Sequence, residues 1–222
     1  MNKLQEIILV GGGLSCIEII DLIANINLLN KKKIKIIGIL DDDKTLSKKK
    51  INGINVLGKI NNLQKFKKYY FFINIFSFHN RFQRLKIINK FSFFKKRIIN
   101  LIHPSSIIGK NVKIGVGVCI YSGCTIFSGT KIGSFSNIMP NVSIAPRCNI
   151  GENVFLGKNV SVGANSKIMN TCSVQPNVII NEKSYINEGI RVMPNSIISS
   201  NFKTKDMIIA GTPARYLIYD KK

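Results

Sequence analysis

No uninterrupted apolar run in this chain approaches the ~18–20 residues that a membrane span needs, although hydrophobic residues make up 45% of it. No integral membrane contact is expected. A signal peptide is missing too, since Leu4–Val10 is too short and runs straight into glycines. Both absences point to a cytoplasmic protein. There is no Cys-x-x-Cys pair and no His/Cys cluster, so no metal site is expected. The five cysteines, at 16, 119, 124, 148 and 172, fit a reducing compartment. Acidic residues are scarce: 11 stand against 33 Lys and Arg, for a formal charge of +22. The imbalance is local, because residues 44–97 hold fifteen Lys or Arg and no Asp or Glu. Such charge suits phosphorylated small molecules or an anionic membrane surface. Nucleic acid is not the expected partner, since no RNA-binding aromatic signature is present.

What is abundant is an aliphatic residue at every sixth position. From Ile108 through Ile114, Ile120, Ile126 and onward to Val192, all fifteen such positions are Ile, Leu or Val. A helix repeats at 3.6 and a strand at 2, so neither alone gives a period of six. Three residues after each aliphatic, Asn or Gly occurs in eleven of the fifteen cases. These residues tolerate positive φ, which marks a turn. Four residues after each aliphatic stands a small or β-branched side chain, including Cys124, Cys148 and Cys172. These suit a tight inner corner, so the cysteines read as buried small hydrophobes. One short strand and one turn per hexad, with three hexads per triangular coil, predicts a solenoid of roughly five coils.

The first hundred residues read differently. Glu6–Val10 is a strand, followed by the Gly11-Gly12-Gly13 turn. Leu14–Leu29 reads as a helix on Ile17, Ile20, Ile23, Ala24 and Leu28, and Lys33–Leu40 as a strand ending in Asp41-Asp42-Asp43. This βαβ unit places glycines and a helix N-terminus where a phosphate binds, and carboxylates where a ribose or base binds. A turn and short strand are expected over Ile51–Gly58 and further strands at Tyr70–Phe76 and Ile98–Ile102, with helices at Asn61–Lys68 and Asn80–Phe91. His79, Asn80 and Arg81 follow a strand end, where ligands of such sheets gather. A cap for the solenoid, with no ligand, is the alternative. His103, at the start of the solenoid, reads as structural.

The whole chain resembles the bacterial sugar O-/N-acetyltransferases of the hexapeptide-repeat type, which include the UDP-4-amino-sugar N-acetyltransferases and the sialic acid O-acetyltransferase group. Ile8–Gly13, Ile37–Asp43, Ile51–Gly58, Ile102-His103-Pro104 and Ala210-Gly211-Thr212-Pro213-Ala214 carry the resemblance. It implies a small Rossmann-like α/β domain over residues 1–102 that binds a nucleotide sugar. A left-handed parallel β-helix over residues 103–222 would bind acetyl-CoA and assemble as a homotrimer. It assigns the nucleotide sugar to Gly11, Gly12, Gly13, Asp41, Asp42 and Arg81. It assigns acetyl-CoA to Gly163, Ala164, Asn165, Ile180 and Gly211. The implied role is acyl transfer to a sugar in surface polysaccharide biosynthesis.

The family's mechanism uses a histidine followed by a carboxylate as general base, and a backbone N–H one coil on to steady the oxyanion. This chain departs from it. The hexad reads Ile144-Ala145-Pro146-Arg147-Cys148, so Pro146 stands at the base position and Arg147 at the acid position. A second family histidine falls at Phe155, while the oxyanion position is Ala164. Glu152 and Glu188 are candidate replacement carboxylates, neither placed by a motif. Two outcomes stay open: an acyltransferase working without the usual base, or a catalytically inactive relative that binds nucleotide sugar or scaffolds the pathway.

Overall fold

The computed structural model describes residues 4–30, 33–75 and 81–217, and of these the side chains of residues 30 and 81–83 are not considered. It divides into two compact units, Met1–Pro104 and Ser105–Lys222.

In the first unit, β1 (Gln5–Val10), α1 (Ser15–Asn30), β2 (Ile34–Leu40), β3 (Lys50–Ile51), β4 (Ile54–Gly58), β5 (Tyr70–Ile73) and α2 (Arg81–Lys90) follow in that order. The sheet order is β3-β4-β2-β1-β5. Its central pairings are parallel, but β3 and β4 form an antiparallel hairpin at the edge. Asn52 and Gly53 turn it with φ of 44° and 80°, the left-handed pair that two-residue hairpins favour. Ile7, Ile8, Leu9, Val10, Phe71 and Phe72 are wholly buried at its centre.

Several boundaries shift from the sequence expectation. The helix expected over Asn61–Lys68 is a 3₁₀ segment, Ile60–Phe66. The strand expected over Ile98–Ile102 is a single bridge of Ile98 to Phe71 and a two-residue strand, Leu101–Ile102. Phe76 lies outside the described residues. The buried stripe of α1 is Cys16, Ile19, Leu22, Ile23 and Ile26, while Ile17 and Leu28 are exposed. The helix is apolar on both sides, so spacing alone does not set its phase.

The second unit is a solenoid of two-residue parallel strands, each paired with the strand eighteen residues on, as Thr125 with Ser143 and Ile126 with Ile144. The strands stack into three faces. One runs from Ile107–Ile108 to Ile197–Ile198, the next from Lys113–Ile114 to Tyr185–Ile186, and the third continues from Cys119–Ile120 to Arg191–Val192. The corner following each face will be called by that face's number. The aliphatic of each hexad points inward, with Ile126, Ile144, Ile168, Val174 and Ile186 among those at 0% exposure.

All fifteen turn positions carry positive φ, from Asn111 at 59° to Asn195 at 59°. The four that are neither Asn nor Gly obey the same geometry: Phe135, Arg147, Thr171 and Lys183 lie at 61°, 60°, 59° and 58°. At the third corner the asparagines stack. The Nδ2 of Asn141, Asn159 and Asn177 each donates to the Oδ1 eighteen residues on, at 3.4, 3.0 and 3.1 Å.

The small residues of the inner corner have a second use. Thr130, Ser136 and Ser166 hydroxyls donate to the carbonyls of Ala145, Gly151 and Asn181, each fifteen residues on. The thiols of Cys124, Cys148 and Cys172 donate in the same manner to Met139, Gly163 and Asn187. Burial is the main reason that the Cys124 and Cys148 thiols titrate above the ordinary range. No helix of the described residues is long and apolar enough to cross a membrane.

Candidate functional site

The first corner of the solenoid holds Pro146, Arg147, Gly163, Ala164, Asn165 and, one coil further, Glu182 and Lys183. All four prolines between residues 105 and 212 occupy one phase of the repeat: Pro140, Pro146, Pro176 and Pro194 each precede a positive-φ residue. That pairing is the type II turn preference, Pro at the first central position and a left-handed residue at the second. The N–H of the first central position takes no part in such a turn. Ala164 stands there, half-buried, and no hydrogen bond among the described residues uses its N–H. Its carbonyl is used, accepting from Lys183 N at 2.8 Å.

The neighbours of Ala164 are committed. Gly163 N donates to Ile180 O at 2.7 Å. A Cβ on Gly163 would lie 2.4 Å from Glu182 N, so close packing of coils demands glycine there. Asn165 N donates to Pro146 O at 3.0 Å. Arg147 is exposed, but its Nε donates to Asn165 Oδ1 at 3.0 Å, which ties the guanidinium to the next coil. Ile180 is 1% exposed and fills the interior, so its side chain is no part of the surface. Gly211 belongs elsewhere: it sits in the hairpin of Ile208–Gly211 with Ala214–Tyr216, and its N–H donates to Ser196 Oγ near the third corner.

Glu152 and Glu188, the carboxylates considered in place of the family's base, both stand on the second corner. Glu188 holds Lys205 at 2.9 Å and raises its pKa through that hydrogen bond. Glu182 shares the first corner with Pro146, two coils on, or about 10 Å away at 4.8 Å per strand. A groove of about 420 Å³ runs along the second face past Lys113, Lys131, Gly133, Glu152 and Met169, and it includes none of the first-corner residues. Phe155 stands on the third face, half-buried, in register with Asn137 and Ser173. No three His, Cys, Asp or Glu side chains converge among the described residues.

In the N-terminal unit the glycine turn is partly occupied by the protein itself. Gly11, at φ 109°, donates to Leu40 O at 2.9 Å. Gly12 N donates to Asp41 Oδ2 at 2.6 Å, and Asp43 N donates to the other oxygen of that carboxylate at 2.7 Å. Asp42 accepts from Ile60 N at 2.9 Å. Gly13 alone is open: a Cβ added to it would meet nothing within 4 Å, just ahead of the α1 N-terminus. Arg81 begins α2, but its side chain lies outside the described residues, as do His79 and Asn80.

One residue was not singled out by sequence reasoning. Asn74 follows β5 at 1% exposure, and neither atom of its carboxamide makes a hydrogen bond of good geometry. Its carbonyl accepts from Ser15 Oγ at 3.2 Å, and a Cβ on Gly11 would meet that carbonyl oxygen at 3.0 Å. The amide lies beside the Cys16 thiol, whose pKa is pushed up to about 11 by burial first and the Asp41 charge second, with Asn74 opposing. A buried amide without a partner among the described residues is costly. The available signal was an asparagine inside the apolar run Tyr70–Phe76.

Two family models match the chain. The PglD N-terminal domain covers residues 6–91, and the bacterial transferase hexapeptide of six repeats covers residues 123–158. The chain thus pairs a PglD-type N-terminal domain with a bacterial transferase hexapeptide repeat. No curated protein sequence matches it. Solved structures resemble this chain over nearly its whole length. The acetyltransferase domain of PglB from Neisseria gonorrhoeae is 17% identical at a TM-score of 0.78, covering 96% of this chain and 100% of that one. The same domain in complex with acetyl coenzyme A gives 17% and 0.71, covering 97% and 100%. PerB from Caulobacter crescentus, in complex with CoA and GDP-perosamine, is 21% identical at 0.68, covering 97% and 98%.

Proposed function

We propose that this chain transfers an acyl group, acetyl in the first instance, from a CoA thioester to the amine of a nucleotide-linked amino sugar, without a protein base. The observation that carries the reading is the uncommitted Ala164 N–H on the same corner as Pro146, one coil on. A donor held there without reorganisation stabilises a thioester oxyanion whatever happens to the base. The bound molecules of the PglB domain and PerB support the choice of acetyl-CoA and a nucleotide sugar as ligands.

The missing base selects the acceptor. A hydroxyl must lose its proton as it attacks, which calls for a general base. A neutral amine attacks with its lone pair and sheds its proton afterwards to water. With Pro146 and Arg147 where the family keeps His and a carboxylate, with Glu152 and Glu188 on another corner, and with Glu182 about 10 Å along the corner at two strand spacings, the chemistry left is positioning plus oxyanion stabilisation. That chemistry suffices for an amine and not for an alcohol. In the N-terminal unit, Gly13, Ser15, the carboxylates of Asp41 and Asp42 and the amide of Asn74 are proposed to hold the nucleotide.

The homotrimer is part of the proposal. The outward positions of the first face carry no charge in a chain of +22. Ile107 and Ile179 stand there at 65% and 46% exposure, and Phe127 stands at 46% on the adjoining first corner. Such a face suits a second copy better than solvent.

The test is release of free thiol from acetyl-CoA with UDP-, GDP- and CMP-linked amino sugars, beside their hydroxyl counterparts. Release with amino sugars alone, rising with pH through the acceptor's own ionisation, supports the reading. Pro146 and Arg147 favour one alternative, a binding protein with no activity. It predicts nucleotide-sugar binding by calorimetry and no thiol release from folded protein.

A further inference from the structure

The basic stretch from Lys44 to Arg97 is not absorbed by the proposed transferase site. In the fold six of its fifteen cations are gathered at one edge of the N-terminal sheet. The turn before β5 brings Lys65, Lys67 and Lys68, and the 3₁₀ segment Ser92–Arg97 brings Lys95, Lys96 and Arg97. The two are locked together: Arg97 Nη1 donates to Lys68 O at 2.8 Å, and its guanidinium stands 5.8 Å from the Tyr70 ring centre. All six cations are exposed, and none meets a carboxylate in any ion pair among the described residues.

An aromatic side chain is presented in their midst. Phe91 and Phe94 pack edge-on against Phe71, at 5.2 and 5.4 Å between ring centres. They pin the segment so that Phe93 projects outward at 94% exposure. Nothing in folding requires an aromatic there, since it buries almost no surface.

We propose that this edge docks the protein peripherally on an anionic lipid surface, with Lys65, Lys67, Lys68, Lys95, Lys96 and Arg97 on the headgroups and Phe93 in the acyl boundary. A convex edge with a projecting ring fits a surface that is charged outside and apolar just beneath. A nucleic acid would use the charges but would leave a lone projecting Phe without a stacking groove. The placement also leaves the proposed nucleotide site open. β5 runs parallel to β1, pairing Tyr70 with Ile7 and Ile73 with Val10, so the edge at Tyr70 lies at the opposite end of the sheet from Gly11 and Asn74.

The experiment is cosedimentation of the full chain with phosphatidylcholine vesicles, with and without about 30 mol % phosphatidylserine. Binding is expected to the anionic vesicles only, and to weaken as salt is raised. Lys95→Gln with Lys96→Gln should weaken it by about 25-fold, at roughly fivefold per charge. Phe93→Ser, at a site that folding does not use, should weaken it by about tenfold. Lys48→Gln with Lys49→Gln removes the same charge away from the edge and should change binding by less than about twofold. No binding to anionic vesicles overturns the proposal. So does equal loss in the two double variants, or binding indifferent to Phe93 and displaced by a duplex oligonucleotide, which would reassign the edge to nucleic acid.

Discussion

The solenoid repeats one local rule fifteen times, whereas the N-terminal unit uses each of its turns once. The difference shows in how each tolerates exceptions. In the solenoid, Phe135, Arg147, Thr171 and Lys183 adopt the same φ near 60° as their Asn and Gly counterparts. Their neighbours eighteen residues away on either side impose the conformation. In the N-terminal unit the turn after β1 has no such neighbours. It is held by Asp41, whose carboxylate takes the N–H groups of Gly12 and Asp43. A repeat averages its defects over adjacent coils, and a single-use turn depends on one side chain.

The sharpest way to break this comparison is to alter the first corner chemically while leaving its geometry alone. Ala164→Pro deletes the free N–H at a phase where Pro140, Pro146, Pro176 and Pro194 already sit. The solenoid should keep its fold, and kcat should fall by about 10²–10³. A loss of folded structure instead would show that the corners are not equivalent. Next in size is Pro146→His with Arg147→Asp, which installs the pair that the resemblance implies at these positions. Thiol release at neutral pH should rise by about 10², with a new titration near the histidine range in the pH profile.

Smaller effects test stability. Asp41→Asn removes two charge-assisted hydrogen bonds and should cost about 1–2 kcal/mol. It would be read from denaturant unfolding of the helical signal, because helices of eight or more residues occur only in the N-terminal unit among the described residues. An equal substitution in the solenoid should register less, since each rung is supported on two sides. The smallest expected change is a gain. Thr171 is β-branched at φ 59°, so Thr171→Asn should raise the solenoid's stability by about 1 kcal/mol. If it lowers stability, the idea that neighbouring coils hold that residue against its preference is wrong.

Legibility follows the same division. Position within the hexad was readable because every rung packs on the rungs one coil away, so phase alone tells inside from corner. Even there, distance along the chain misled: Glu152 is six residues from Pro146, and six residues is one corner, not one coil. Counting in eighteens brings Ala164 and Glu182, instead of Glu152, onto the corner of Pro146. In the first unit the strands were readable and the phase of α1 was not, because Leu14, Ile17 and Leu28 are as apolar as the residues that it buries.

By itself the sequence determined the solenoid and its turn conformations, because short-period packing writes each environment into the local pattern. Only the tertiary structure decided that Asp41 closes the glycine turn, that Asn74 is buried with an unpaired amide, and that Lys68 and Arg97, 29 residues apart, share one edge with Phe93. Those are contacts between segments with no common period. Nothing in the spacing of the residues announces them, and only the folded path of the chain brings them together.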